Sequence, residues 1–206
     1  MSNHPLRIGM FGGAFDPPHN AHVALARAAI EQLQLDMLYV LPTGQAWHKA
    51  RALSPAAHRL AMTELAFADL PAARVDGREL QRQGPTYTVD TLTQLQQEHP
   101  QARLFLVVGA DHAQALPGWR RWPDIRQMAI ISIAARDDLT LDGIGFSSEL
   151  LNQGEQRSGF VRLHMPAHAI SATEIRHRVA TGQGFDHLVA TAVARYIDYH
   201  HLYLAP

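Results

Sequence analysis

Two histidines three residues apart, His19 and His22, close the string Gly12-Gly13-Ala14-Phe15-Asp16-Pro17-Pro18-His19-Asn20-Ala21-His22. At the entrance of a helix that spacing puts both imidazoles on one face. The first turn of a helix also carries unpaired N–H groups and positive potential, so the pair suits a phosphate. The helix end disfavours protonation of each ring, and a bound phosphate favours it. The glycine pair lets backbone approach a ligand closely. This is neither of the two commonest nucleotide loops. Gly-x-Gly-x-x-Gly is absent, and no Gly-Lys pair exists anywhere in the chain. A second string, Ile170-Ser171-Ala172-Thr173-Glu174-Ile175-Arg176, has capping-box spacing at another helix start. Ser171, Thr173 and Arg176 there surround a second place for an anion.

The elements that must position these groups alternate. Strands are expected over residues 7–11, 37–41, 73–76, 104–108, 129–134 and 160–163. Helices are expected over 20–33, 54–70, 88–98, 123–128, 171–180 and 187–200, with Ser54 as an N-cap and Pro55 at the first helical position. Near-continuous apolar strands between helices imply an α/β fold: a doubly wound, mostly parallel sheet covered on both faces. In such sheets ligands bind beyond the carboxyl ends of the strands. Gly12 and Gly13 follow the first strand, and Gly109-Ala110-Asp111 closes the strongest one. Residues 138–159 carry no readable pattern. No internal repeat or linker appears, so one domain is expected.

Composition agrees with an enzyme-like core. The 206 residues are 47% hydrophobic and only 18% charged, against roughly 25% charged in an average globular protein. A net charge of −1 argues against a generally basic nucleic-acid surface. The absence of cysteine excludes disulfides, thiolate metal sites and cysteine nucleophiles. No apolar run approaches the ~18 residues of a membrane span, and no signal-peptide pattern opens the chain, so a cytoplasmic protein is expected. The thirteen histidines are scattered, without the clustered carboxylates of a metal centre, and no protein metal site is expected. Lys49 is the single lysine among eighteen basic residues.

The first string resembles the His-x-Gly-His signature of nucleotidyltransferases, with Ala21 where the signature has glycine. At full length it is similar to that of the nicotinate-nucleotide adenylyltransferases, apart from Ala14 in place of threonine. The second string resembles the same family's Ile-Ser-x-Thr-x-Ile-Arg motif. The resemblance runs over about residues 7–135 and 168–203 and implies a Rossmann-like nucleotidyltransferase fold. One domain over 1–206 is implied, its C-terminal helical part, 168–206, completing the ATP site.

Further implications follow from the same resemblance. The reaction would move AMP from ATP onto nicotinate mononucleotide, giving deamido-NAD and pyrophosphate in NAD biosynthesis, with Mg²⁺ accompanying the ATP. His19, His22, Lys49, Ser171 and Arg176 would act on the phosphates. Gly12, Gly13, Phe15, Gly109, Asp111, Ile170 and Thr173 would complete the ATP site, Asp111 at the ribose. Gly13, Ala14, His48, Tyr87, Thr88 and Trp119 would hold the nicotinate nucleotide, Trp119 stacking on the pyridine ring. His48-Lys49 resembles the family's mobile basic pair, though Ala46-Trp47 replaces the Pro-Pro that precedes it. Readings still open at this point are a related adenylyltransferase taking the amide nucleotide NMN or phosphopantetheine, and a non-catalytic nucleotide sensor.

Overall fold

The computed structural model describes residues 5–44, 53–134, 159–166 and 169–204. Six parallel strands form one sheet: β1 (Arg7–Gly13), β2 (Met37–Pro42), β3 (Ala73–Val75), β4 (Arg103–Gly109), β5 (Ala129–Ala134) and β6 (Gly159–Leu163). Their order is β3-β2-β1-β4-β5-β6, so the chain winds outward first to one side of β1 and then to the other. Phe11 pairs with Val40 on one flank and Val107 on the other, which places the carboxyl ends of β1 and β4 side by side. That reversal of strand order is where a doubly wound sheet opens a crevice.

Alternation along each strand divides the core into two layers. Phe11, Val40, Phe105 and Val107 face α1 (Asn20–Gln32), α2 (Ala56–Phe67), α6 (Ala172–Ala180) and α7 (Thr191–Tyr199), burying Leu25, Met62, Ile175 and Ile197 among others. Met10, Leu41, Leu106 and Val108 face the opposite way. They pack on α3 (Thr88–Glu98), α4 (Ala110–Ala113) and α5 (Trp122–Met128) through Leu92, Leu95, Ala113 and Ile125. The C-terminal helices therefore share an apolar cluster with β1 and β4. No helix among the described residues is long and apolar enough to cross a membrane.

Several expected boundaries move: β1 runs on through Gly12 and Gly13, and α2 ends at Phe67 rather than at residue 70. Ser54 does not cap α2: Pro55 stands at the N-cap in extended backbone, and the Ser54 amide instead donates to Asp16 at 3.2 Å. The expected helix over 187–200 is divided. Asp186–Leu188 forms a single 3-10 turn, and Val189 then becomes extended and buries its side chain before α7 begins. An Asn20 amide donating to the His187 carbonyl at 3.0 Å holds this turn against α1.

Candidate functional site

A cleft of about 1460 Å³ opens at the carboxyl ends of β1 and β4. Both singled-out strings meet in it: His19 and His22 come from the start of α1, and Ile170, Ser171, Thr173 and Arg176 from the start of α6. Gly109 and Asp111 line it at the end of β4, and Tyr87, Thr88 and Trp119 line it beside α3. Residues 45–52, which carry His48 and Lys49, lie outside the described residues.

His19 is itself the N-cap of α1, and His22 is the third residue of its first turn. The His19 amide donates to His22 Nδ1 at 3.1 Å. An Nδ1 that accepts a hydrogen bond carries no proton, so the neutral His22 ring holds its proton on Nε2. The two rings stack, with centroids 3.7 Å apart and planes inclined by 25°. The first turn of α1 thus presents an imidazole donor together with its own positive end, a combination suited to an anion.

The loop ahead of His19 is anchored from below. Phe15 adopts a positive φ of 46°, and its ring is buried against Phe11, Phe67 and His22 at centroid distances of 5.4, 5.8 and 5.1 Å. Phe15 lines the cleft as part of this wall, with its ring packed in the core. The same packing constrains Gly13, which also lines the cleft. A Cβ there would lie 2.8 Å from the Phe15 ring, so the position is glycine to admit the phenyl group.

Asp16, only 2% exposed, is the hub that the motifs did not reveal. Its carboxylate accepts from the Tyr203 hydroxyl at 2.8 Å and from the Ser54 amide at 3.2 Å. Its carbonyl accepts from Arg176 Nη1 at 2.7 Å, while Arg176 Nη2 donates to Thr173 Oγ1 at 3.1 Å. Burial and the Asp16 charge push the Tyr203 phenol well above its usual range, so it remains a donor. Beside it, buried Arg59 donates to the carbonyls of Ala14, Thr43 and Ser54 at 3.0, 2.8 and 3.0 Å. Burial lowers the Arg59 pKa from its ordinary value, and the Asp16 charge opposes that shift. Three distant segments are tied to one loop.

At α6 the Ser171 hydroxyl accepts from the Glu174 amide at 3.1 Å, as capping requires. The reciprocal half of the expected box gives way to an i,i+4 pair, Arg178 Nε to Glu174 Oε1 at 2.7 Å. Asp111 lies in the first turn of α4 with Gly109 as its N-cap, and it is exposed on the cleft rim.

The α3 side of the cleft rests on a buried carboxylate. Glu79, 5% exposed, accepts from Thr91 Oγ1 at 2.7 Å, and Arg82 donates to the same hydroxyl at 2.7 Å. Gly44 passes so close that a Cβ would lie 2.2 Å from the Glu79 carbonyl oxygen. Burial pushes the Glu79 carboxyl above its ordinary range, while the Thr91 hydroxyl and the Arg82 charge act against that. Tyr87, the N-cap of α3, makes no side-chain cap, and both it and Thr88 line the cleft. Among the described residues no group of three or more His, Cys, Asp or Glu side chains is disposed to hold a metal ion.

The sequence pattern of the cytidylyltransferase-like family matches residues 10–178. This chain belongs to that family. Members similar to it include a protein of Albidiferax ferrireducens described as a "probable nicotinate-nucleotide adenylyltransferase". It is 55% identical over 96% of this chain and 98% of its own length. A protein of Methylibium petroleiphilum with the same description is 40% identical over 97% and 93% of the two chains. Among solved structures, the Plasmodium falciparum nicotinic acid mononucleotide adenylyltransferase complexed with NaAD superposes with a TM-score of 0.71. It is 17% identical, covering 96% of this chain and 97% of that one, and so shares the fold of this family member.

Two outcomes test this construction. Tyr203→Phe should cost about 1.5–3 kcal/mol of stability in urea unfolding, because it removes a donor from a buried carboxylate. A cost below about 0.5 kcal/mol would contradict the hub. For Glu79, the folded chain binds the carboxyl proton more tightly than the unfolded chain. Its contribution to stability is therefore greatest in acid and declines as pH rises through the folded-state pKa. Glu79→Gln should gain melting temperature relative to the parent as pH is raised from about 4 to neutrality. A difference that stays constant across that range would refute the assignment.

Proposed function

We propose that this chain is a nicotinate-nucleotide adenylyltransferase, moving AMP from ATP onto nicotinate mononucleotide to give deamido-NAD and pyrophosphate. The observation that carries the reading is the convergence of the α1 and α6 starts on one cleft, in a chain 55% identical end to end to a relative of that description. A phosphate oxygen of the mononucleotide attacks the α-phosphorus of ATP. The bond from that phosphorus to the β-bridging oxygen breaks, and pyrophosphate leaves with the electron pair. The attacking oxygen is already anionic at neutral pH, so no serine, cysteine or strong base is required. What remains for the protein is positioning and charge stabilisation.

The residues of the cleft fit that task. The His22 Nε2–H and the amides of the α1 start donate to the phosphates, while His19 holds the turn in which His22 sits. Arg176, fixed by the Asp16 carbonyl, and Ser171 and Thr173 at the α6 start receive the leaving pyrophosphate end. Ile170, Gly12, Gly13, Gly109 and Asp111 enclose the adenosine side, with Asp111 toward the ribose. Ala14, Tyr87, Thr88 and Trp119 enclose the pyridine nucleotide. Lys49 and His48 are proposed, on resemblance, to join the phosphates and the nicotinate nucleotide respectively.

Mg²⁺ enters as the metal complex of ATP. The Asp16 carboxylate is engaged by Tyr203 and Ser54, and the ion would be held largely by the phosphates themselves. The ion offsets negative charge on the triphosphate. Reaction in the cytoplasm, where ATP and pyridine nucleotides meet, accords with this reading.

Chromatography of products from ATP, Mg²⁺ and either nicotinate or nicotinamide mononucleotide tests the proposal. Deamido-NAD and pyrophosphate should form in equal amounts, faster from the nicotinate substrate, and ATP binding without product would overturn it. His22→Ala should lower kcat by roughly 10²- to 10³-fold, the loss typical of one charge-stabilising donor. Near-normal turnover in that variant would remove His22 from the chemistry.

A further inference from the structure

The arginines near α3 differ in what occupies them. Arg78 is paired with Asp76 at 2.6 Å and Glu98 at 2.8 Å. Arg82 serves Thr91 and Gln94. Arg121, at a φ of 55°, turns to Asp124 at 2.5 Å. Arg120 alone of this group lines the cleft, and its guanidinium lies over the Tyr87 ring, 4.5 Å from the centroid. Among the described residues it forms no ion pair with a carboxylate. The stacked arrangement is one that guanidinium groups favour, and it leaves the edge N–H groups free to meet a planar anion.

Arg120 follows Trp119 directly, and Tyr87 precedes the first turn of α3. A guanidinium and a helix start that no side chain caps therefore meet at one corner of the cleft. The groups of the proposed phosphate end, the α1 start and Arg176 at the α6 start, come from other elements of the cleft. A nicotinate nucleotide and its amide have the same shape and the same phosphate, and they differ in one charge on the ring substituent. Backbone donors accept either substituent's oxygen, whereas a cation favours the carboxylate alone.

Resting on the function proposed above, we infer that Arg120 is a specificity-determining residue whose guanidinium, laid over Tyr87, meets the nicotinate carboxylate and selects the acid over the amide. The test compares kcat/KM for nicotinate and nicotinamide mononucleotide, at saturating ATP, in the parent chain, Arg120→Gln and Arg120→Lys. Arg120→Gln should lose roughly 10- to 100-fold with the nicotinate substrate, the range of a hydrogen bond to a charged group, and under about 3-fold with the amide. Arg120→Lys, which keeps the charge, should recover part of the loss, and KM for ATP should be unchanged in both. An active parent whose selectivity survives in Arg120→Gln overturns the inference and leaves the function standing. So does an equal loss with both nucleotides, which would assign Arg120 to the shared phosphate or to structure. A parent inactive with nicotinate mononucleotide overturns both.

Discussion

The geometry of the proposed phosphate end depends on a carboxylate that water hardly reaches. A buried ionised group is tolerated only when hydrogen bonds replace its hydration, and removing one partner leaves a large uncompensated cost. Asp16 draws its partners from positions far apart in sequence: Tyr203 near the end of the chain and Ser54 ahead of α2, with Arg176 on its own carbonyl. The loop that leads into His19 and His22 can hold its course only when those segments are docked. The site is therefore assembled by tertiary structure, and the C-terminal helices are part of its frame.

The sheet topology separates the work of the cleft. Reversal of strand order between β1 and β4 opens the crevice, and the two faces of the sheet deliver different helices to its rim. The face carrying α1 and α6 brings two helix starts, paired histidines and Arg176 to one end. The face carrying α3 brings Tyr87, Thr88 and the stacked Arg120, with Trp119 alongside. Two anionic substrates must approach each other closely for phosphoryl transfer. In the proposed reaction, positive groups under both substrates would lower their mutual repulsion before any bond changes.

The strand and helix pattern was legible because apolar alternation and helical spacing are local signals. Helix α3 and strand β5 begin and end where the pattern places them. The strings around His19 and Ser171 were legible as helix starts for the same reason, and the structure brings them together. Asp16, Arg59, Tyr203 and Glu79 were not, because each works through a partner distant in sequence that no local pattern encodes. At Gly13 the missing side chain also makes room for the Phe15 ring, a requirement set by the fold that no local pattern encodes. Ser54 was misread as a cap because its sequence neighbourhood favours one, and a buried carboxylate claimed its amide instead. The division of the last helix reflects Val189 taking an extended backbone to bury its side chain against the core.

The most direct measurement is a crystal structure of the chain with deamido-NAD bound. The account predicts the diphosphate against His22 and the first turn of α1. It places the pyridine ring on Trp119, its carboxylate toward Thr88 and Arg120, and the adenosine toward Asp111 and Ile170. A dinucleotide bound in the opposite sense, or with its diphosphate away from the α1 start, would contradict it.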